Sequence, residues 1–130
     1  MLDKLKEELK ELSIKIENLD KFIKSNTYNT VSEAHKFLLR KQLLFMSLYQ
    51  STLLQRVVVT ETSYESYVPN FGEEVIGLFG TEDSSVFEIK VLGGELIDAI
   101  ETYGKDKRLS SIAKTNIETG VMFGVKSYHK

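Results

Sequence analysis

Three arginines, Arg40, Arg56 and Arg108, are the only guanidinium groups in this 130-residue chain. A guanidinium offers a planar fork of donors that grips phosphate and stacks on rings, so these positions come first in a search for a binding site. Arg56 falls near the end of a helical pattern and Arg108 near the start of another, placing both within reach of a cleft between the two halves of a compact fold. Phe79 and Phe87 flank the loop Gly80-Thr81-Glu82-Asp83-Ser84-Ser85. Phe87 reads as core filler, whereas Phe79 is equally suited to serve as a platform for an adenine ring. Lys114, Asn116 and Thr119 recur on the last helical stretch, where such groups satisfy ribose hydroxyls and phosphates or form ordinary helix surface.

Chemistry that breaks bonds has little to work with. The chain contains no Cys and two separated His residues, His35 and His129, which excludes thiolate nucleophiles and ordinary zinc sites. No Walker-type phosphate loop, HExxH or Gly-x-Ser-x-Gly elbow occurs. Carboxylate pairs such as Glu73 and Glu74 fit solvated helix faces better than acid–base work. No catalytic residue and no cofactor or metal is assigned, and the chain is read as a binding protein, not an enzyme. A net charge of −2 supplies no field for a nucleic-acid backbone, so no nucleic-acid partner is expected. The opening residues lack a signal-peptide core and no apolar run approaches the ~20 residues of a membrane span, so a soluble cytosolic protein is expected.

The elements that must position these groups begin with a heptad-like stripe: Leu2, Leu5, Leu9, Leu12, Ile16, Leu19 and Ile23 alternate by three and four. Ser25 to Thr30 is a turn, and Thr30-Val31-Ser32-Glu33 reads as a capping box that starts a second helix near Ser32. That helix, predicted to about Val57, is apolar on two sides: Leu39, Leu43, Met46, Leu53 and Val57 form one stripe, and Leu38, Phe45 and Tyr49 another. One partner helix covers one stripe, so the surplus predicts a homo-oligomer. The run Val57 to Thr60 favours extended chain. Glu74–Phe79 and Val86–Val91 read as two strands of a hairpin, because Phe87, Ile89 and Val91 alternate with Glu88 and Lys90. Gly93-Gly94 then reads as a strand-to-helix turn before a helix from Glu95 to about Tyr103. The last helix runs from about Lys107 to Lys126, with Ala113, Ile117, Gly120, Val121 and Gly124 on one face. The expected fold is therefore α+β, mainly α, in a single domain over 1–130. A helical hairpin occupies 1–58, and a small antiparallel β element with two C-terminal helices forms the ligand-binding part over 59–130.

The stretch Leu38-Leu39-Arg40-Lys41-Gln42-Leu43, followed by Met46, Tyr49, Leu53 and Arg56-Val57, resembles the second hairpin helix of phage-encoded sponges against bacterial immune signals. The likeness extends back through Lys15-Ile16-Glu17-Asn18-Leu19-Asp20-Lys21-Phe22-Ile23. The segment Arg108 to Lys126, with Ile112-Ala113-Lys114-Thr115-Asn116-Ile117-Glu118-Thr119-Gly120, is similar to their closing helix, except that Phe123 stands where many relatives carry Trp. The first type of Thoeris anti-defence sponge has an added β portion after the hairpin, so the region Val57 to Val91 tilts the resemblance toward it and away from the anti-CBASS cyclic-oligonucleotide sponges. The resemblance implies a protein in the cytoplasm of an infected bacterial host. It would sequester, uncleaved, a cyclic ADP-ribose isomer made by a TIR-domain enzyme, as a dimer or hexamer. It also implies separate inter-subunit sites for cyclic di- or trinucleotides. Arg56 and Arg108 are the leading ligand residues, joined by Tyr49, Phe79, Lys114, Asn116 and Thr119. The alternative is a structural or adaptor protein whose hairpin seam binds protein partners.

Overall fold

A computed structural model of the chain describes residues 1–62, 71–78 and 81–130. Five α-helices follow one another: α1 (Leu2–Ile23), α2 (Glu33–Glu61), α3 (Phe71–Val75), α4 (Ser84–Tyr103) and α5 (Lys107–His129). A 3₁₀ turn over Asn26–Thr30 joins the first two. The chain divides into two compact units, Met1–Tyr67 and Val68–Lys130.

In the first unit the heptad-like leucines do what their spacing dictates. Leu5 and Leu12 of α1 bury against Leu53 and Val57 of α2, with Leu2, Leu9, Ile16 and Met46 packed around them. The Ser32 hydroxyl caps α2 by accepting the His35 amide at 3.2 Å. Polar ties line the seam: Gln50 Nε2 donates to Ser13 Oγ at 2.9 Å, and Lys6 pairs with Glu61 at 2.8 Å. The second apolar stripe of α2 has no cover among the described residues. Leu38 is 54%, Phe45 52% and Tyr49 44% exposed, and Phe37 and Leu44 stand out with them.

The α+β expectation is overturned, because no strand exists among the described residues and the fold is all-α. Val57 to Thr60 continues α2, since Val57 on the inner face is held by the α1 leucines and helix packing outweighs a weak β-branched preference. Glu74 begins no strand: Phe71–Val75 is a short helix, followed by a tight turn at Gly77 with φ +62. Val86–Val91 lies inside α4, whose start is set by Asp83. Its carboxylate accepts the Ser85 and Val86 amides at 2.9 and 3.1 Å, so Asp83 to Ser85 form a helix start instead of part of a hairpin loop; Phe79 and Gly80 lie outside the described residues. Phe87, expected in the core, is exposed on this helix.

Gly93 and Gly94 are likewise no strand-to-helix turn but the buried middle of α4. A Cβ on Gly93 would sit 2.4 Å from Val121 Cγ2 of α5, and one on Gly72 of α3 would sit 2.1 Å from the Gly94 carbonyl oxygen. Three helices therefore meet where side chains are missing. Ile97, fully buried, and Val86 complete the inner face of α4, and Leu78 after α3 is also buried. Gly72 N donates to Asp98 Oδ1 at 2.7 Å and fixes α3 on α4. At the far end, the Tyr128 hydroxyl of α5 donates to Asp83 Oδ2 at 3.3 Å.

Candidate functional site

Among the described residues of the second unit, two concavities lie along one flank of α5. Helix geometry of about 100° per residue brings Lys107, Ser111, Lys114, Glu118, Met122 and Val125 to that flank. Toward the C-terminal half of α5 a groove of about 390 Å³ has an apolar floor of Ile76, Val121, Met122 and Val125. Lys90, Glu118 and Lys126 form its polar edge. Lys90 is held in place: its ammonium donates to the Gly77 carbonyl at 3.2 Å and to Thr81 Oγ1 at 3.0 Å, tying the α3–α4 connection to α4. Lys126 lies over the Phe123 ring at 5.8 Å. An apolar floor with a few charged groups at the rim is how small-molecule sites are commonly built.

A second, more polar pocket of about 270 Å³ lies between the C-terminal end of α4 and the first half of α5. Ile100, Glu101 and Gly104 contribute from α4 and its cap; Lys107, Ser110, Ser111 and Lys114 contribute from α5. Lys114 Nζ pairs with Glu101 Oε2 at 2.6 Å and sits 5.1 Å from the centre of the Phe71 ring. Among the described residues no cluster of His, Cys, Asp and Glu is arranged to hold a metal ion.

Carboxylates also shape this unit. Glu95 of α4 is half-buried, and burial, reinforced by Asp98 and Glu73, pushes its carboxyl above the ordinary range. Asp83 is shifted the other way by the Val86 and Ser85 amides it caps, together with the Tyr128 hydroxyl and the nearby His129; some loss of hydration opposes them.

The residues singled out from sequence distribute unevenly. Lys114 lines the polar pocket. Arg108 is exposed at the start of α5 and lines neither concavity; its neighbour Lys107, rotated by about 100°, does. Asn116 and Thr119 are exposed on another side of α5, and the Thr119 hydroxyl donates to the Thr115 carbonyl at 3.0 Å. In the first unit Tyr49 and Arg56 share a flank of α2. The Tyr49 hydroxyl donates to Glu8 Oε1 of α1, and this bond, followed by burial and the Glu8 charge, raises the phenol's pKa, with Arg56 near enough to oppose it. Phe79 lies outside the described residues.

Sequence reasoning missed Lys90, Lys107, Ser110, Ser111, Glu118 and Lys126. The series Lys107, Ser111, Lys114, Glu118 carried the signal, with polar groups at three- and four-residue spacing on one helix flank. Lys90 was hidden by the strand reading of its segment.

Residues 1–59 match the model of the family described as Sequestin. The match spans α1, the 3₁₀ turn and α2 to within two residues of its end. No curated protein and no solved structure matches the chain. Among the described residues no helix is long and apolar enough to cross a membrane.

Proposed function

We propose that this protein is a phage anti-defence sponge that binds a cyclic ADP-ribose isomer made by Thoeris TIR enzymes and holds it without cleaving it. The match of residues 1–59 to the Sequestin model carries this reading, because it joins the hairpin to a family described by sequestration. The second unit offers what a nucleotide needs: an apolar floor for a ring and lysines at the rim for phosphates. The uncovered stripe of α2, Leu38, Phe45 and Tyr49, supports assembly into a homo-oligomer, with Arg56 on the same flank available at a subunit junction. Arg56 and Arg108 remain the proposed phosphate partners, and cyclic di- or trinucleotides are further candidates at separate inter-subunit sites. A stoichiometric trap must reach about nanomolar affinity, roughly −12 kcal/mol, to outcompete an effector.

The same uncovered stripe favours the competing reading, an adaptor whose hairpin seam takes a protein partner. Calorimetric titration with a panel of cyclic ADP-ribose isomers and cyclic dinucleotides separates the two. The sponge reading expects tight binding by at least one isomer, weakened in Arg56→Ala and Arg108→Ala, with the ligand recovered intact after denaturing the complex. Flat titrations across the panel would remove it, and recovery of a cleaved product would replace it with catalysis.

A further inference from the structure

From the pocket between α4 and α5 we infer a phosphate-binding site, built from Lys107, Ser110, Ser111 and Lys114, that accepts the phosphate or pyrophosphate group of a ligand. It is separate from the apolar groove. The midpoints of the two stretches of α5 that line them lie about 17 Å apart at about 1.5 Å per residue. It is also independent of the sponge reading, since it rests only on the local chemistry of one pocket.

Four features carry the inference. The α5 contributors fall at positions i, i+3, i+4 and i+7, so two ammonium groups and two hydroxyls converge on one side of the helix. Lys107 has no carboxylate partner among the described residues, and the Ser110 and Ser111 hydroxyls make no hydrogen bond there, whereas those of Thr102 and Thr119 are spent on the carbonyl four residues earlier. Lys114 is held at the pocket by Glu101 and the Phe71 ring, yet an ammonium has three donors and the ion pair leaves others to offer. Finally, a Cβ on Gly104 would lie 2.2 Å from Ser110 Oγ, so the missing side chain is what makes room for that hydroxyl at the wall of the pocket.

The helix end is not the source of the site, because the Asp106 carboxylate already takes the Leu109 amide at 2.9 Å. The recognition chemistry belongs to side chains from α5, with Glu101 on α4 orienting Lys114. At about 270 Å³ the pocket falls just under the range of about 300–1,000 Å³ typical of cavities that engulf drug-sized ligands, which suits an anionic group better than a whole nucleotide.

The test is an amide-resolved NMR titration of the full chain with inorganic pyrophosphate at fixed ionic strength. Saturable shifts confined to the Gly104–Lys114 amides are expected. Lys107→Gln and the double variant Ser110→Ala/Ser111→Ala should each weaken binding by about three- to tenfold, the scale of losing one solvent-screened charged contact. Lys130→Gln, the same charge change at the other end of α5, should leave it within about twofold. Shifts that never saturate, that spread over lysines generally, or that are equal in Lys107→Gln and Lys130→Gln overturn the site. Parallel titrations with ADP and adenosine identify the source. The same amides moving with ADP but not adenosine assign a nucleotide's phosphates, and response to pyrophosphate alone assigns a free anion. A flat calorimetric panel of cyclic nucleotides would remove the sponge reading and leave this result standing.

Discussion

Replacing Gly72 by Ala should undock α3 from α4. The added Cβ would lie 2.1 Å from the Gly94 carbonyl oxygen and 2.8 Å from its carbon, and both are backbone atoms in the middle of a 20-residue helix. No rotamer relieves that contact, so α3 must retreat by about 1 Å to restore van der Waals distance. The retreat lengthens the 2.7 Å bond from Gly72 N to Asp98 Oδ1 beyond useful range. Overpacking costs about 1–3 kcal/mol and a hydrogen bond to a charged group about 1.5–3 kcal/mol. The lower halves apply because the bond is only partly buried, and the Ala gains about 0.5–1 kcal/mol of backbone entropy. The net expectation is about 2–3 kcal/mol against docking of α3. Because α3 is short, the loss registers locally, in faster hydrogen exchange of the Ile76 and Leu78 amides, which bond to the Gly72 and Glu73 carbonyls. Gly120→Ala is the matched control. Nothing described lies within 4 Å of a Cβ there, so it should stabilise α5 by about 0.5–1 kcal/mol. Unchanged exchange at Ile76 and Leu78 in Gly72→Ala would refute the claim that glycine-to-backbone contact holds α3.

Three further outcomes are expected. Leu53→Ala, at the fully buried centre of the hairpin, should cost about 2–5 kcal/mol in urea unfolding followed by far-UV circular dichroism. Glu95 has a folded pKa above its ordinary 4.5, so its contribution is whole below that pH and is lost as pH rises through the folded value. Glu95→Gln should therefore be more stable than the parent at pH 7, by on the order of a few tenths of a kcal/mol after solvent screening, with no gain at pH 4. Asp83 is the opposite case: its capping contribution is whole above the ordinary 3.8 and fades as pH falls through the lowered folded value. Asp83→Asn keeps a capping oxygen, so its melting temperature should match the parent's acid-side plateau and lose the parent's slope below pH 3.8.

Much of the hairpin was readable because its signals are local and mutually consistent. Seven leucines and isoleucines at three- and four-residue spacing define the buried face of α1, and Ser32 places the start of α2. The two apolar stripes on α2 were also readable, one now buried on α1 and the other exposed. The candidate site was much less so. Lys114 was named because it is a polar residue on a plain helix, while Lys90 was lost inside an apparent strand and Lys107 stood beside a more conspicuous arginine.

Residues 84–103 mark where local reading ends. Val86 to Val91 alternates like a strand, and a glycine pair follows, so short-range preference favours a hairpin and a turn. The long helix wins because Asp83 caps it and because Gly93 and Gly94 let α5 and α3 approach its backbone. Composition and spacing alone determined a helical hairpin with surplus apolar surface. Only tertiary packing decided that the second half is helical and that its lysines and serines line pockets, because a glycine's meaning depends on what comes within van der Waals distance of it.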